Sequence, residues 1–236
     1  RPTPAPVASA AGDACTQGGM NPELLTAFSR PHGCIVRDDV VPSVVSLSTW
    51  YRLHATGWLV ALHPGVARPA RIVETALMRV EAAVAASVPG SSVAGLTAAW
   101  LWGAGSGPGE EIELLAPPYR NPGRLTGVRI HRPTDRPYPV ACLHRHLPTC
   151  DPLRATLDVA AWHPELVLPV LSDFLERRRY GIEAIRRTLA HHRRHGRPGI
   201  RALAGAIAEW ERADSVLRGP ETLLRVSGRP VSLQGL

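Results

Sequence analysis

The sequence contains no lysine; all 27 of its basic residues are arginine. A lysine-dependent metal-nuclease motif is therefore impossible, as is the lysine of a phosphate-binding P-loop. Cysteine is scarce as well. Cys15, Cys34, Cys142 and Cys150 are too few to staple a chain of 236 residues, so a reducing, cytoplasmic setting is expected. No run approaches the roughly 18 uninterrupted apolar residues of a membrane span, and no membrane partner is expected. Residues 1–19, rich in proline, alanine and glycine, lack the apolar block of a signal peptide and read as a disordered leader, with Met20 a candidate natural start. No Gly-x-Ser-x-Gly elbow is present, which leaves a serine hydrolase of that type without support.

What is present is a globular composition with a basic surplus. Apolar residues make up 44% of the chain and charged residues 20%, and the length allows one or two domains of the usual roughly 100 to 200 residues. The 23 prolines and 21 glycines imply short elements with many breaks. A net charge of +7 carried by arginine favours approach to a polyanion, because guanidinium donates paired hydrogen bonds to phosphate and to guanine edges. GC-rich coding explains the choice of arginine over lysine and leaves the charge intact.

Residues 22–29 read as a short helix. His32 and Gly33 turn the chain into Cys34, Ile35 and Val36, and a second short helix follows Arg37, with Asp38 and Asp39 at the positive end of its dipole. From Ser46 a third helix fits, capped by Ser48. Leu47, Trp50, Leu53 and His54 then share one face, leaving Ser48, Thr49, Tyr51 and Arg52 facing out. Gly57 ends this helix, and residues 58–66 alternate like a strand until Pro64 and Gly65 turn it. Three helices and a hairpin within 20–70 predict a winged helix-turn-helix.

Residues 71–214 read as a mixed α/β domain ending in basic helices, so the expected fold class is α+β, mostly helical. Helices are expected at 72–88, where Ile72, Val73, Ala76, Leu77, Val80 and Val84 form a stripe, and at 93–102. A glycine-rich loop at 103–109 leads to strands at 111–115 and 128–131. Asp151 caps a helix with Pro152 at its first position, running to about Trp162. Helices at 166–179, 181–195 and 200–213 follow, and 215–236 is a tail without pattern.

An ordered set of short motifs resembles one family. His32-Gly33, Gly57 with Leu59-Val60, Leu62-His63-Pro64-Gly65-Val66, Leu101-Trp102-Gly103, Gly127-Val128-Arg129-Ile130-His131-Arg132, and Pro152-Leu153-Arg154 with Leu157-Asp158 cover about 20–212. Together they resemble the actinobacterial antitoxin-like proteins of the abortive-infection AbiEi type, from type IV toxin-antitoxin systems. The resemblance implies an N-terminal winged helix that binds operator DNA and a larger domain that opposes a nucleotidyltransferase-type toxin. Gly95, Leu96 and Thr97 replace a usual His-Arg-Ser run, so a polar network there is expected to be absent, and Ala67 replaces a usual aromatic. The C-terminal nuclease-like domain of long relatives cannot fit before Leu236.

On this basis Ser48, Thr49, Tyr51 and Arg52 are the expected base-reading residues, and Arg37, His63 and Arg68 the expected phosphate contacts. No cofactor and no catalytic residue is expected. Cys142, His144, His146 and Cys150 are zinc-type ligands in an unusual spacing, with the first three on one strand face; a zinc site is not expected. Arg177–Arg179 and residues 191–195 form the densest positive region and read as cations complementing helix C-termini, with binding of nucleic acid or of an acidic partner as the alternative. Arg154 and Asp158 read as an intrahelical ion pair. The rival readings are a nuclease or repair protein that has lost its catalytic domain, and a scaffold whose winged helix binds protein.

Overall fold

The computed structural model describes residues 27–119, 121, 123–133, 139–193 and 197–217. The expected leader, most of the expected helix at 22–29, and the tail beyond 217 lie outside the described residues. Two sheets with helices packed against them make a mixed α/β fold.

The first sheet grows from local signals. β1 (Ile35–Val36) leads directly into the single turn of α1 (Arg37–Val40), with Asp38 and Asp39 in its first turn as expected. The α2 helix (Leu47–Ala55) begins one residue after Ser46, whose hydroxyl accepts the Thr49 N–H at 3.2 Å. Ser46 is therefore the cap and Ser48 a first-turn residue, which corrects the expectation. β2 (Leu59–His63) and β3 (Val66–Pro69) form an antiparallel hairpin, and β3 pairs with β1 to give the order β1-β3-β2. Trp50 and Leu53 reach from α2 onto Ile35, Val40, Leu59 and Ala67, all buried. Ala67, the position where the family resemblance implied an aromatic, is fully buried on β3.

α3 (Ala76–Ala86) starts four residues later than its apolar stripe suggests. Arg68 is the reason. Its Nη1 donates to the carbonyls of Pro69, Ala70 and Ile72 at 3.3, 3.3 and 2.7 Å, holding that stretch as a loop until Thr75 caps the helix at Met78 N–H. Val73 is consequently 80% exposed. The helix then serves two cores: Met78 and Ala82 pack on Cys34, Val36 and Val66, while Val80 and Ala83 enter the larger core. Gly33, at φ 98°, lies so near α3 that a Cβ would stand 2.8 Å from Met78 Cε, and the Glu81 carboxylate accepts the His32 and Cys34 N–H groups at 3.2 Å. The His32-Gly33 pair is thus a joint between the small sheet and α3.

The expected helix at 93–102 is divided. β4 (Ser92–Val93) sits in the middle of the second sheet, and α4 (Gly95–Leu101) follows it. With β5 (Ile112–Leu115), β6 (Val128–His131), β7 (Cys142–His144) and β8 (Leu147–Thr149), the sheet order is β6-β5-β4-β8-β7, with β5–β6 and β4–β8 parallel. α5 (Pro152–Trp162) begins as expected, Asp151 accepting Arg154 N–H at 3.0 Å. A 3-10 turn (Pro164–Leu166), α6 (Val167–Glu176), α7 (Ile182–His192) and α8 (Ile200–Leu217) complete the chain described. Phe174, Leu171, Ile185 and Leu203 are fully buried against Leu114 and Leu101 in the main core. Among the described residues no helix is long and apolar enough to cross a membrane.

Candidate nucleic-acid interface

At 3.6 residues per turn, burying Trp50 and Leu53 turns the opposite side of α2 outward. Ser48, Tyr51 and Arg52 are exposed there, Tyr51 to 57%. Leu47, expected in the core, is instead on this face and 48% exposed. Thr49 differs the other way: it is half-buried, accepting a hydrogen bond from Ser46 Oγ at 2.9 Å, and belongs to the helix cap. The Arg52 guanidinium has no hydrogen-bond or ion-pair partner among the described residues.

Arg37 starts α1 at the rim of this face. Its Nε donates to Asp38 at 2.9 Å, and that bond, together with the neighbouring Tyr51 hydroxyl, holds the guanidinium above its ordinary pKa. Its backbone N–H donates to the carbonyl of Gly65 at 2.8 Å, so the tip of the β2–β3 hairpin is fixed beside α1. His63 ends β2 half-buried; burial pushes its imidazole below the ordinary value, and Glu74 partly offsets this. Arg68 is 18% exposed, with its guanidinium committed to three carbonyls and Nε 3.8 Å from Glu74. It shapes the loop before α3 and has little left to offer a phosphate.

The second sheet holds a polar cluster that sequence reasoning missed. Glu113 lies on β5 among apolar neighbours, its side chain 4% exposed. Its carboxylate accepts Leu96 N–H at 2.7 Å and His163 Nε2 at 2.8 Å, with His131 Nε2 at 3.4 Å; His131 stacks on Trp162 with ring centroids 3.4 Å apart. Burial alone would raise the carboxyl, but hydrogen bonds from His131, His163 and Leu96 outweigh it and hold Glu113 below the ordinary value. Thr97 Oγ1 accepts Glu113 N–H at 3.0 Å and donates to Pro108 O at 2.7 Å. A polar network does exist at Gly95-Leu96-Thr97, contrary to expectation, because a helix N-terminus supplies its donor from the backbone. A Cβ at Gly95 would overlap the Glu113 carboxylate, so the glycine makes room for it. The available signal was a glutamate inside the apolar run from Ile112 to Ala116, where a buried charge demands partners.

The remaining motifs are structural. Trp102 stacks on His144 at 3.7 Å, donates Nε1 to the Cys150 carbonyl at 2.9 Å and has Arg179 Cζ 5.9 Å from its ring. Arg179 Nε also donates to the Trp102 carbonyl at 2.9 Å, a cation on the C-terminal end of α4. The β7 strand stops at His144, and Arg145 and His146 form the hairpin turn with positive φ, so Cys142, His144 and His146 do not share a strand face. Cys142 Sγ donates to the Thr149 carbonyl, and no group of three His, Cys, Asp or Glu among the described residues is placed to hold a metal. Arg154 and Asp158 pair at 2.8 Å within α5, as their spacing predicts. Of the basic stretch 191–195, residues 194 and 195 lie outside the described residues.

No protein-family model and no curated protein matches this chain. Among solved structures it is similar to the crystal structure of the Rv2827c protein from Mycobacterium tuberculosis, with a TM-score of 0.52 and 18% sequence identity, over 78% of this chain and 75% of that one. At this identity the likeness is one of fold.

Proposed function

We propose that residues 27–70 form a winged helix-turn-helix that binds duplex DNA, with α2 as recognition helix and the β2–β3 hairpin as wing. On this reading the chain is an antitoxin-like transcriptional regulator of the AbiEi type, acting in the cytoplasm and not as an enzyme. The observation that carries it is the outward face of α2. Leu47, Ser48, Tyr51 and Arg52 occupy its first two turns, the part of a recognition helix that reaches base edges, and α2 carries no carboxylate to repel phosphate. Arg37 at the rim positions the duplex through phosphate, and the overall charge of +7 assists the approach. The ordered family motifs support the same reading, and with it an operator in the chain's own operon and a nucleotidyltransferase-type toxin as partner of the larger region.

Fluorescence anisotropy with labelled duplex DNA tests this directly. Binding should be tight at low salt and weaken steeply as salt rises, because arginines release condensed counterions. Absence of binding at low salt overturns the reading. The same protein should cleave neither DNA nor RNA with magnesium or manganese; cleavage abolished by a point substitution would make it an enzyme.

A further inference from the structure

The exposed face of α2 is divided. Around the helix in angular order come Leu47, Tyr51, Ala55, Ser48 and Arg52. The first two are an aliphatic and an aromatic side chain, 48% and 57% exposed; the last two carry a hydroxyl and an unpartnered guanidinium. A helix face needed only for phosphate binding has no use for an exposed leucine in its first turn. That leucine is not serving the fold: the core beneath α2 is filled by Trp50 and Leu53, which are 3% and 9% exposed.

In a major groove, the only apolar group on a base edge is the C5-methyl of thymine, and the commonest partner of an arginine fork is the O6/N7 edge of guanine. Resting on the winged-helix reading above, we infer that Leu47 and Tyr51 form an apolar reading surface for thymine methyl groups, with Arg52 across the helix face reading a guanine a step or two away. The duplex is the committed occupant because α2 carries no acidic residue, Arg52 stands on the same exposed face and Arg37 lies beside Tyr51. Leu47 is then a specificity residue, and its contribution is one of methyl contact, without hydrogen bonds or charge.

The experiment is a selection by the full chain from a randomised duplex library, followed by anisotropy on the enriched duplex synthesised with thymine or with uracil at each thymine position. Uracil differs only by the lost methyl. At one or two positions it should weaken binding about fourfold, the value of one buried methyl group. Leu47→Ala, which replaces an exposed residue with a good helix former, should bind the thymine and uracil duplexes equally at such a position, and should keep the wild-type melting temperature. Uracil duplexes bound as tightly as thymine duplexes at every position overturn the inference and leave the DNA-binding reading standing. Binding without any enriched sequence does the same. No binding of the library at low salt removes both.

Discussion

The two regions of this protein differ in where they bury polar side chains. Among the described residues, the buried polar and charged ones, from Glu81 through Thr97, Glu113 and Thr156 to Asp158, all lie beyond the small N-terminal sheet. In the larger region three charged groups are spent on structure: Glu113 on a helix N-terminus and two histidines, Arg154 on Asp158, Arg179 on the Trp102 carbonyl. Around the small sheet the core is apolar, and its freest cation, Arg52, stands on an outward helix face. A committed charge holds a fold together, whereas an uncommitted one is available to a ligand. Arg177, Arg178 and Arg187 in the larger region are exposed as well, so it is the placing of Arg52 beside the exposed Leu47 and Tyr51 on one helix face that directs attention to α2.

The largest expected effect lies at the aromatic under α2. Trp50→Ala removes the largest side chain of the small core and should cost about 3 to 5 kcal/mol, with DNA binding lost as the helix loses its support. Urea unfolding followed by circular dichroism measures it; a cost under about 1 kcal/mol would mean that α2 is not held by that core.

Glu113→Gln should cost about 1 to 3 kcal/mol, since the amide is neutral and offers one acceptor oxygen where the carboxylate offers two to Leu96 N–H and the histidines. DNA affinity should stay at the wild-type value under conditions where the variant is folded. A large loss of affinity in the folded variant would erase the division of labour between the two regions.

Surface substitutions should show the reverse pattern. Arg52→Ala should leave stability within about 0.5 kcal/mol and cost about 1 to 3 kcal/mol of binding on a selected site, with less effect on random DNA. Arg37→Ala should weaken both about equally and lower the salt slope by about one unit. If changing Ser48, Tyr51 and Arg52 together to alanine leaves affinity intact in a folded protein, α2 is not the reading helix, and a protein-binding scaffold becomes the better account.

The smallest effect is on pH dependence: both regions lose stability as pH falls, but in different pH windows. Burial lowers the folded-state pKa of His54 and His63, so below the ordinary imidazole range near 6.5 the unfolded chain binds more protons and their contribution to stability falls. Glu113 is also lowered, but from the carboxyl range: its stabilisation is complete above an ordinary value of 4.5 and is lost only as pH falls below that. Thermal melts at neutral pH and at about pH 5.5 should therefore show a loss that His63→Asn diminishes and Glu113→Gln does not. A loss unchanged by His63→Asn would show that this histidine takes no part in it.

Elements with strong local signals were legible before any tertiary structure. Asp151 and Pro152 start α5, Asp38 and Asp39 begin α1, and the alternation of 128–131 is β6, because caps, dipoles and periodicity act over a few residues. The hairpin turn at Arg145 and His146 was not legible: both take positive φ without the glycine or asparagine that ordinarily announces it. Nor was β4, whose two residues are a strand only because Leu114 and Thr149 lie on either side.

Residue order and local periodicity are enough for the mixed α/β composition, the helix that carries Ser48, Tyr51 and Arg52, and the arginine-only positive charge. Long-range packing settles which polar groups are free. Arg68 and Thr49 look as available as Arg52 in the sequence, yet one guanidinium is consumed by loop carbonyls and one hydroxyl by a cap. Leu47 looks like core until Trp50 and Leu53 fill the space beneath the helix. Exposure is set by what packs against a side chain from distant parts of the chain, and residues near in sequence carry no record of it.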